Sequence, residues 1–277
     1  FRARLGLGAG GRRYGFFEYP EGLARDLVFA AVKVPALGYR TYRLQPRSGQ
    51  PVFPRAVTAA AGALENEWYR LELDERTGCV ASLIDKETGR ELVDQSAAHP
   101  FGALVVRDPF GVETLSSCTG IEQGAGGALS ACLRVRLSAR GHPGIEQTFT
   151  LYSREKRLDI AVGLLKAPTP LLEAYLALPF NMPGGRFRYE GPLCVLDPAS
   201  DLMPGAYSDR LTMQNWVSVS DGGLTVLLSS REAPVMSLAR LWPGRVSPAH
   251  SACARTDSVH PRQEAADLRG GAIYSLL

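Results

Sequence analysis

Between residues 65 and 94, in ENEWYRLELDERTGCVASLIDKETGRELVD, polar and apolar positions alternate in two consecutive runs. Tyr69, Leu71 and Leu73 fall on one side of the first run and Arg70 and Glu72 on the other, the period of two that marks a half-buried β-strand. In the second run Val80, Ser82 and Ile84 alternate with Cys79, Ala81 and Leu83, so that strand reads as apolar on both faces. Each run ends in Asp-x-x-Thr-Gly, at Asp74 to Gly78 and again at Asp85 to Gly89. A glycine at the close of a five-residue turn supplies the positive φ that a hairpin connection needs, so the stretch predicts a meander of antiparallel strands.

The same pattern predicts strands along most of the chain. Leu27 to Val34 is a continuous apolar run, Pro35 to Gly38 a turn, and Tyr39 to Leu44 alternates again. With the proline-rich Gln45 to Pro54 read as a linker, residues 1–56 form a small β-subdomain. Beyond it, Ala103 to Val106, Ala128 to Leu137, Ile145 to Tyr152, Leu158 to Leu165 and Ala174 to Phe180 are strand candidates. Ser153 to Arg157 is a charged hairpin tip, and Gln214 to Leu228 is a hairpin folded around Asp221-Gly222-Gly223. Helical periodicity is nearly absent, and 29 glycines with 19 prolines suit many short connections. The expected fold is therefore all-β, with a large antiparallel sandwich over 57–277.

Composition narrows the function classes. A chain of 277 residues with 45% hydrophobic content can bury about three quarters of its unfolded surface. No run of 18 apolar residues is present, and no membrane partner is expected. A net charge of +3 is too small for a phosphate-backbone binder, so no nucleic-acid partner is expected either. Lysine occurs only at positions 33, 86, 156 and 166; the arginine-rich remainder is read as compositional bias. The five cysteines at 79, 118, 132, 194 and 253 lack paired spacing and read as small buried hydrophobes of a reducing, cytoplasmic compartment. Phe1 is no initiator methionine and the last residues are apolar, so both ends are expected to be cut from a longer polypeptide.

Candidate chemistry was sought by motif. Gly6 to Gly11 contains G-x-G-x-x-G, but Arg12, Arg13 and Tyr14 follow where a dinucleotide site needs a helix N-terminus, and a turn is the better reading. His99, His142, His250 and His260 have no close metal-ligand spacing; His250, Cys253 and His260 fall in a polar stretch, 245–268, read as a loop. No G-x-S-x-G element is present. Glu190, Asp201, Asp209 and Asp221 could supply a carboxylate pair. Aspartate is also the usual residue of turns, where it accepts backbone N–H groups, and that reading is preferred. No catalytic residue and no metal ligand is therefore assigned.

The 65–94 stretch, with its repeated Asp-x-x-Thr-Gly and Ser82-Leu83-Ile84-Asp85-Lys86-Glu87-Thr88-Gly89-Arg90, resembles the start of the large β-domain of glycoside hydrolase family 38, the α-mannosidases. Val34 to Leu44 resembles the small β-subdomain before it. Tyr175, Pro179-Phe180, Tyr189-Glu190, Pro192, Asp201, Pro204-Gly205, Gln214 to Val217 and Val219 to Gly222 resemble the bacterial branch of the same family. The resemblance implies a β-domain fragment whose partners are a catalytic domain and a helical bundle of the same polypeptide. The parent reaction would be retaining, zinc-dependent hydrolysis of α-mannosides, with the zinc ligands in that catalytic domain. This fragment, by the same resemblance, needs no cofactor of its own and is expected to be inactive alone.

In the family, loops of this region help line the sugar pocket. A tyrosine and an arginine that do so in some members fall near Leu104 and Gly223 here, and neither side chain is kept. Asp209, Arg210, Gln214, Asn215 and Trp216 remain as candidate substrate contacts, because sugars stack on aromatic rings and hydrogen-bond at their edges. The alternative is a stand-alone carbohydrate-binding β-sandwich, with a mannoside as ligand. A mutarotase-like epimerase is disfavoured, since it needs a histidine on a strand and the pattern predicts none.

Overall fold

The structure is a computed structural model that describes residues 2–6, 24–29, 31, 33–43, 57–124, 126–168, 171–203, 209–230, 232–241 and 268–277. The Gln45–Pro54 linker, the glycine-rich turn beyond Gly6, Pro204-Gly205 and the 245–268 loop with His250, Cys253 and His260 mostly or wholly lie outside the described residues. The chain divides into two compact units, Phe1–Arg55 and Ala56–Leu277.

In the first unit β1 (Arg2–Gly6) pairs antiparallel with β2 (Ala24–Val28), Arg2 opposite Val28. The apolar run expected to continue as a strand to Val34 stops at Val28, and Tyr39 to Arg43 form no strand. Lys33 and Leu37 hold φ of 56° and 53°, and the Gly38 N–H closes the expected turn onto the Pro35 carbonyl at 3.2 Å. Left-handed backbone on either side of Pro35 breaks an extended ladder, whatever the side-chain pattern.

The described strands of the second unit form four antiparallel sheets. The first is a sequential meander of β3 (Thr58–Ala60), β4 (Ala63–Glu65), β5 (Tyr69–Leu73), β6 (Val80–Asp85) and β7 (Arg90–Glu91). The second joins β10 (Ser117–Gln123), β11 (Ser130–Ala139), β12 (His142–Tyr152) and β13 (Leu158–Leu165) in that order. A six-stranded sheet runs β17 (Leu211–Thr212), β20 (Val235–Leu238), β21 (Ala272–Leu276), β14 (Glu173–Pro179), β8 (Leu104–Arg107) and β9 (Glu113–Leu115). The fourth runs β16 (Cys194–Leu196), β15 (Arg186–Gly191), β18 (Trp216–Ser220) and β19 (Thr225–Ser229).

All four sheets feed one core, in which Leu71, Phe149, Leu176 and Val217 are each almost completely buried. The chain is all-β as expected. Its described strands divide among five separately hydrogen-bonded sheets, one in the first unit and four in the second, and those four form a propeller-like arrangement that is not clearly the two-layer sandwich expected.

The opening meander forms with one change. Gly78 and Gly89 close the two turns at φ of 73° and 69°, their N–H groups bonded to the Asp74 and Asp85 carbonyls at 2.7 and 2.8 Å. A bulge between Glu72 and Leu73 shifts the register, so Ser82 sits opposite Glu72 but Val80 opposite Leu73. The extra residue turns Ala81 outward and brings both Val80 and Leu83 into the core, so the strict alternation expected over 79–84 does not hold. His142 is also unlike the expectation. It opens β12, is buried, and sets Nδ1 3.1 Å from the Arg140 carbonyl.

Candidate functional site

The five candidate substrate contacts lie on one segment that changes sheets. Leu211–Thr212 pairs with β20 in the six-stranded sheet, whereas Trp216 opens β18 in the fourth sheet. Leu211 and Met213 are buried and anchor the crossing. Residues before the crossing therefore belong to one environment and residues after it to another, and the predicted set is split.

Arg210 joins a polar cluster on the six-stranded sheet, away from the main core. Its guanidinium contacts Glu173, whose other carboxylate oxygen accepts from Arg107 Nη2 at 3.0 Å and from the Tyr175 hydroxyl at 2.9 Å. Arg107 also donates to the Tyr175 oxygen at 3.1 Å, with its guanidinium carbon 5.2 Å from the ring centroid. Burial opposes the charge on Glu173, but the hydrogen bonds from Arg107 and Tyr175 and both guanidinium charges outweigh it and hold its pKa below the usual range. Burial and the Glu173 charge push the Tyr175 hydroxyl up to about 12. Asp209 is half-buried beside this segment. The arrangement is an ion network in which two guanidinium groups share one carboxylate.

Gln214, Asn215 and Trp216 come together elsewhere. Gln214 and Trp216 border an open cleft of about 440 Å³ whose other walls are Glu190, Gly191, Leu193, Cys194 and Val195. The Gln214 N–H donates to the Glu190 carbonyl at 2.9 Å, and Asn215 Nδ2 donates to Glu190 Oε2 at 2.9 Å. Tyr189 pairs with Val217, both buried, so their neighbours Glu190 and Trp216 face outward together. The far wall is the β15–β16 hairpin, where Gly191 pairs with Cys194 across Pro192-Leu193. Leu193 sits at φ 60°, the third position of such a turn where glycine is usual, and is fully exposed. A half-buried indole, a carboxylate and a carboxamide around one cleft can stack on and hydrogen-bond a polyhydroxylated ring.

Sequence reasoning assigned Gln214, Asn215 and Trp216 to the site but missed Leu193 and Cys194 as its wall. Cys194 also departs from the expectation for the cysteines. Cys79 is buried, but Cys194 is exposed and Cys118 and Cys132 are half-buried. The Tyr189-Glu190-x-Pro192 step was the available signal for the wall. The Arg107–Glu173–Tyr175 network had none, since its members are 66 and 68 residues apart in sequence.

The remaining carboxylates weighed for catalysis hold structure. Asp221 accepts from Arg90, Gly223 and Leu224, and the Arg90 bond, before the two backbone bonds, keeps it well below the usual carboxylate range. Asp201 accepts from the Asp197 N–H at 2.7 Å and Ser200. His99 stands 3.1 Å from the Tyr274 hydroxyl and 2.9 Å from Glu113. Among the described residues no three histidine, cysteine, aspartate or glutamate side chains converge as metal ligands. Leu104, one of the two pocket positions implied by the resemblance, is fully buried in the core, and Gly223 is exposed at a hairpin tip.

Compared with known proteins, residues 64–232 match the family model described as "Glycosyl hydrolases family 38 C-terminal domain". No curated protein sequence matches the chain.

Proposed function

The chain belongs to the glycosyl hydrolase family 38 C-terminal domains, and from that premise we propose that it is the non-catalytic β-domain region of an α-mannosidase-like enzyme. Retaining, zinc-assisted cleavage of the α-mannoside would be carried out by a catalytic domain elsewhere in the same polypeptide. This chain would support that domain and lend the Glu190–Gln214–Trp216 cleft to the edge of its sugar pocket.

The observation that carries the non-catalytic reading is where the carboxylates go. A retaining glycosidase needs two carboxyl groups about 5 Å apart and open to substrate. Here Asp221, Asp201 and Glu173 are each consumed by structural hydrogen bonds. Glu190 faces the cleft, and one of its oxygens is held by Asn215.

The test is hydrolysis of an aryl α-mannoside by the 277-residue chain, with and without added zinc. No turnover above the uncatalysed rate is expected. Turnover that survives purification and is lost in Glu190→Gln would overturn the reading.

A second reading, a self-sufficient carbohydrate-binding module, is favoured by the outward-facing Trp216 beside Gln214. Calorimetric titration with manno-oligosaccharides separates the two. A supporting domain gives no binding tighter than the millimolar range, whereas a binding module gives tighter binding that Trp216→Ala abolishes.

A further inference from the structure

We propose that the preferred occupant of the Glu190–Gln214–Trp216 cleft is a protonated amino sugar, its ammonium group held by Glu190 and its ring laid on Trp216. This inference rests on the reading of the cleft as a sugar site and narrows the ligand to one that carries a positive charge.

The cleft holds an acid without a base. Among the described residues that line it, Glu190 is the one Asp, Glu, Lys, Arg or His, so the charge it presents is negative. Other sheltered carboxylates of the second unit meet cations: Asp85 meets Lys156, Asp108 meets Arg140, Glu173 meets Arg107, and Asp197 meets Arg186. Glu190 instead accepts at Oε2 from the neutral Asn215 carboxamide at 2.9 Å, and no described residue hydrogen-bonds its Oε1. Neither arginine of the same strand neutralises it. Arg186 is bound to Asp197, and Arg188, two residues before Glu190, acts on Asp201.

Strand register puts this carboxylate beside the indole. Tyr189 stands opposite Val217, which makes Glu190 and Trp216 cross-strand neighbours on the outward face. The side chains of such a pair leave the sheet about 5 Å apart. A pyranose stacked on the half-buried indole therefore brings one edge against the carboxylate, while Gln214 offers a donor and an acceptor to its hydroxyls.

Both walls favour the same charge. An ammonium bound to a carboxylate makes a charge-assisted hydrogen bond, about twice as strong as one between neutral groups. The face of an indole attracts the same cation through its quadrupole. A neutral sugar gains the stacking and weaker hydrogen bonds alone, and an acidic sugar is repelled by Glu190.

Calorimetric titration of the whole chain at low ionic strength tests the proposal with mannosamine, mannose and N-acetylmannosamine, the last two keeping the ring without the charge. Mannosamine should bind roughly tenfold more tightly than either. The preference should shrink in about 0.5 M salt, which screens a surface charge pair. Glu190→Gln, with an unchanged circular dichroism spectrum, should remove it. The ratio of affinities is the readout, so a variant that binds every sugar less tightly still reports. Equal binding of the three sugars to the wild-type chain overturns this inference and leaves the sugar reading standing, whereas binding of none overturns both. Trilysine that binds as tightly as mannosamine overturns it in favour of a basic peptide.

Discussion

Arg90 and Asp221 lie 131 residues apart, and their side chains meet with Nη2 2.5 Å from Oδ2. The contact ties β7, at the end of the opening meander, to the tip of the β18–β19 hairpin in another sheet. Asp221 also organises its own turn by accepting the N–H groups of Gly223 at 3.1 Å and Leu224 at 3.0 Å. One carboxylate thus closes a local hairpin and pins it to a distant sheet. Arg90→Ala should free the hairpin tip and speed amide exchange at Gly223 and Leu224, while exchange in β11 and β12 stays unchanged. Hydrogen exchange read by mass spectrometry checks this.

The pH dependence follows from carboxylates held below their ordinary range. The Arg90 bond depresses Asp221. For Asp85, burial acts the other way but is outweighed by Lys156 and by the backbone N–H groups of Glu87 and Thr88. Glu173 is depressed in the same manner by Arg107 and Tyr175. A group whose folded pKa is depressed stabilises the fold above its unfolded pKa, and the contribution is lost as pH falls through the folded value. The urea midpoint should therefore be level above about pH 5 and fall progressively below about pH 4. A midpoint that rises on acidification would contradict the ion network.

Glu173 is the hub that keeps Arg107 paired, and the Arg107 side chain is only 4% exposed. Glu173→Gln should cost about 2–3 kcal/mol, below the full value for a buried pair because Glu173 keeps some solvent contact. Arg107→Met should cost less, since Glu173 retains Arg210 and Tyr175 as partners. Urea unfolding of the two variants checks the order.

The twin turns of the opening meander should respond unequally to the same change. At Gly78 a Cβ would lie 2.5 Å from Val135 Cγ1, inside the core, whereas at Gly89 it would meet nothing within 4 Å. Both positions have positive φ, so Gly89→Ala should cost about 1 kcal/mol from backbone strain alone. Gly78→Ala adds overpacking and should cost about 3 kcal/mol. Thermal unfolding of the pair gives the comparison.

At the cleft, Trp216→Ala and Gln214→Ala should each weaken any mannoside binding at least tenfold. Arg210→Lys should leave sugar affinity unchanged, because Arg210 belongs to the Glu173 network and not to the cleft. Calorimetric titration reads all three.

Much of the secondary structure was legible because period-two alternation and Asp-x-x-Thr-Gly turns are local signals. Strand β13 was legible to the residue, and the Asp221-Gly222-Gly223 hairpin stands where its turn chemistry put it, with Gly222 at φ 88°. Of the five candidate contacts, Gln214 and Trp216 line the same cleft. Local pattern carries no information on which sheet a strand joins. The crossing between Thr212 and Trp216 separates Arg210 from Gln214, and only long-range pairing with β20 and β15 sets it. The bulge opposite Ala81 and the meeting of Arg107, Glu173 and Arg210 likewise depend on partners remote in sequence. By itself, then, the sequence determined the all-β character, the turns and the family resemblance, because each rests on residues a few positions apart. The tertiary structure decided which carboxylates are spent on ion pairs and which one faces a cleft, because burial and charge pairing are properties of neighbours in space.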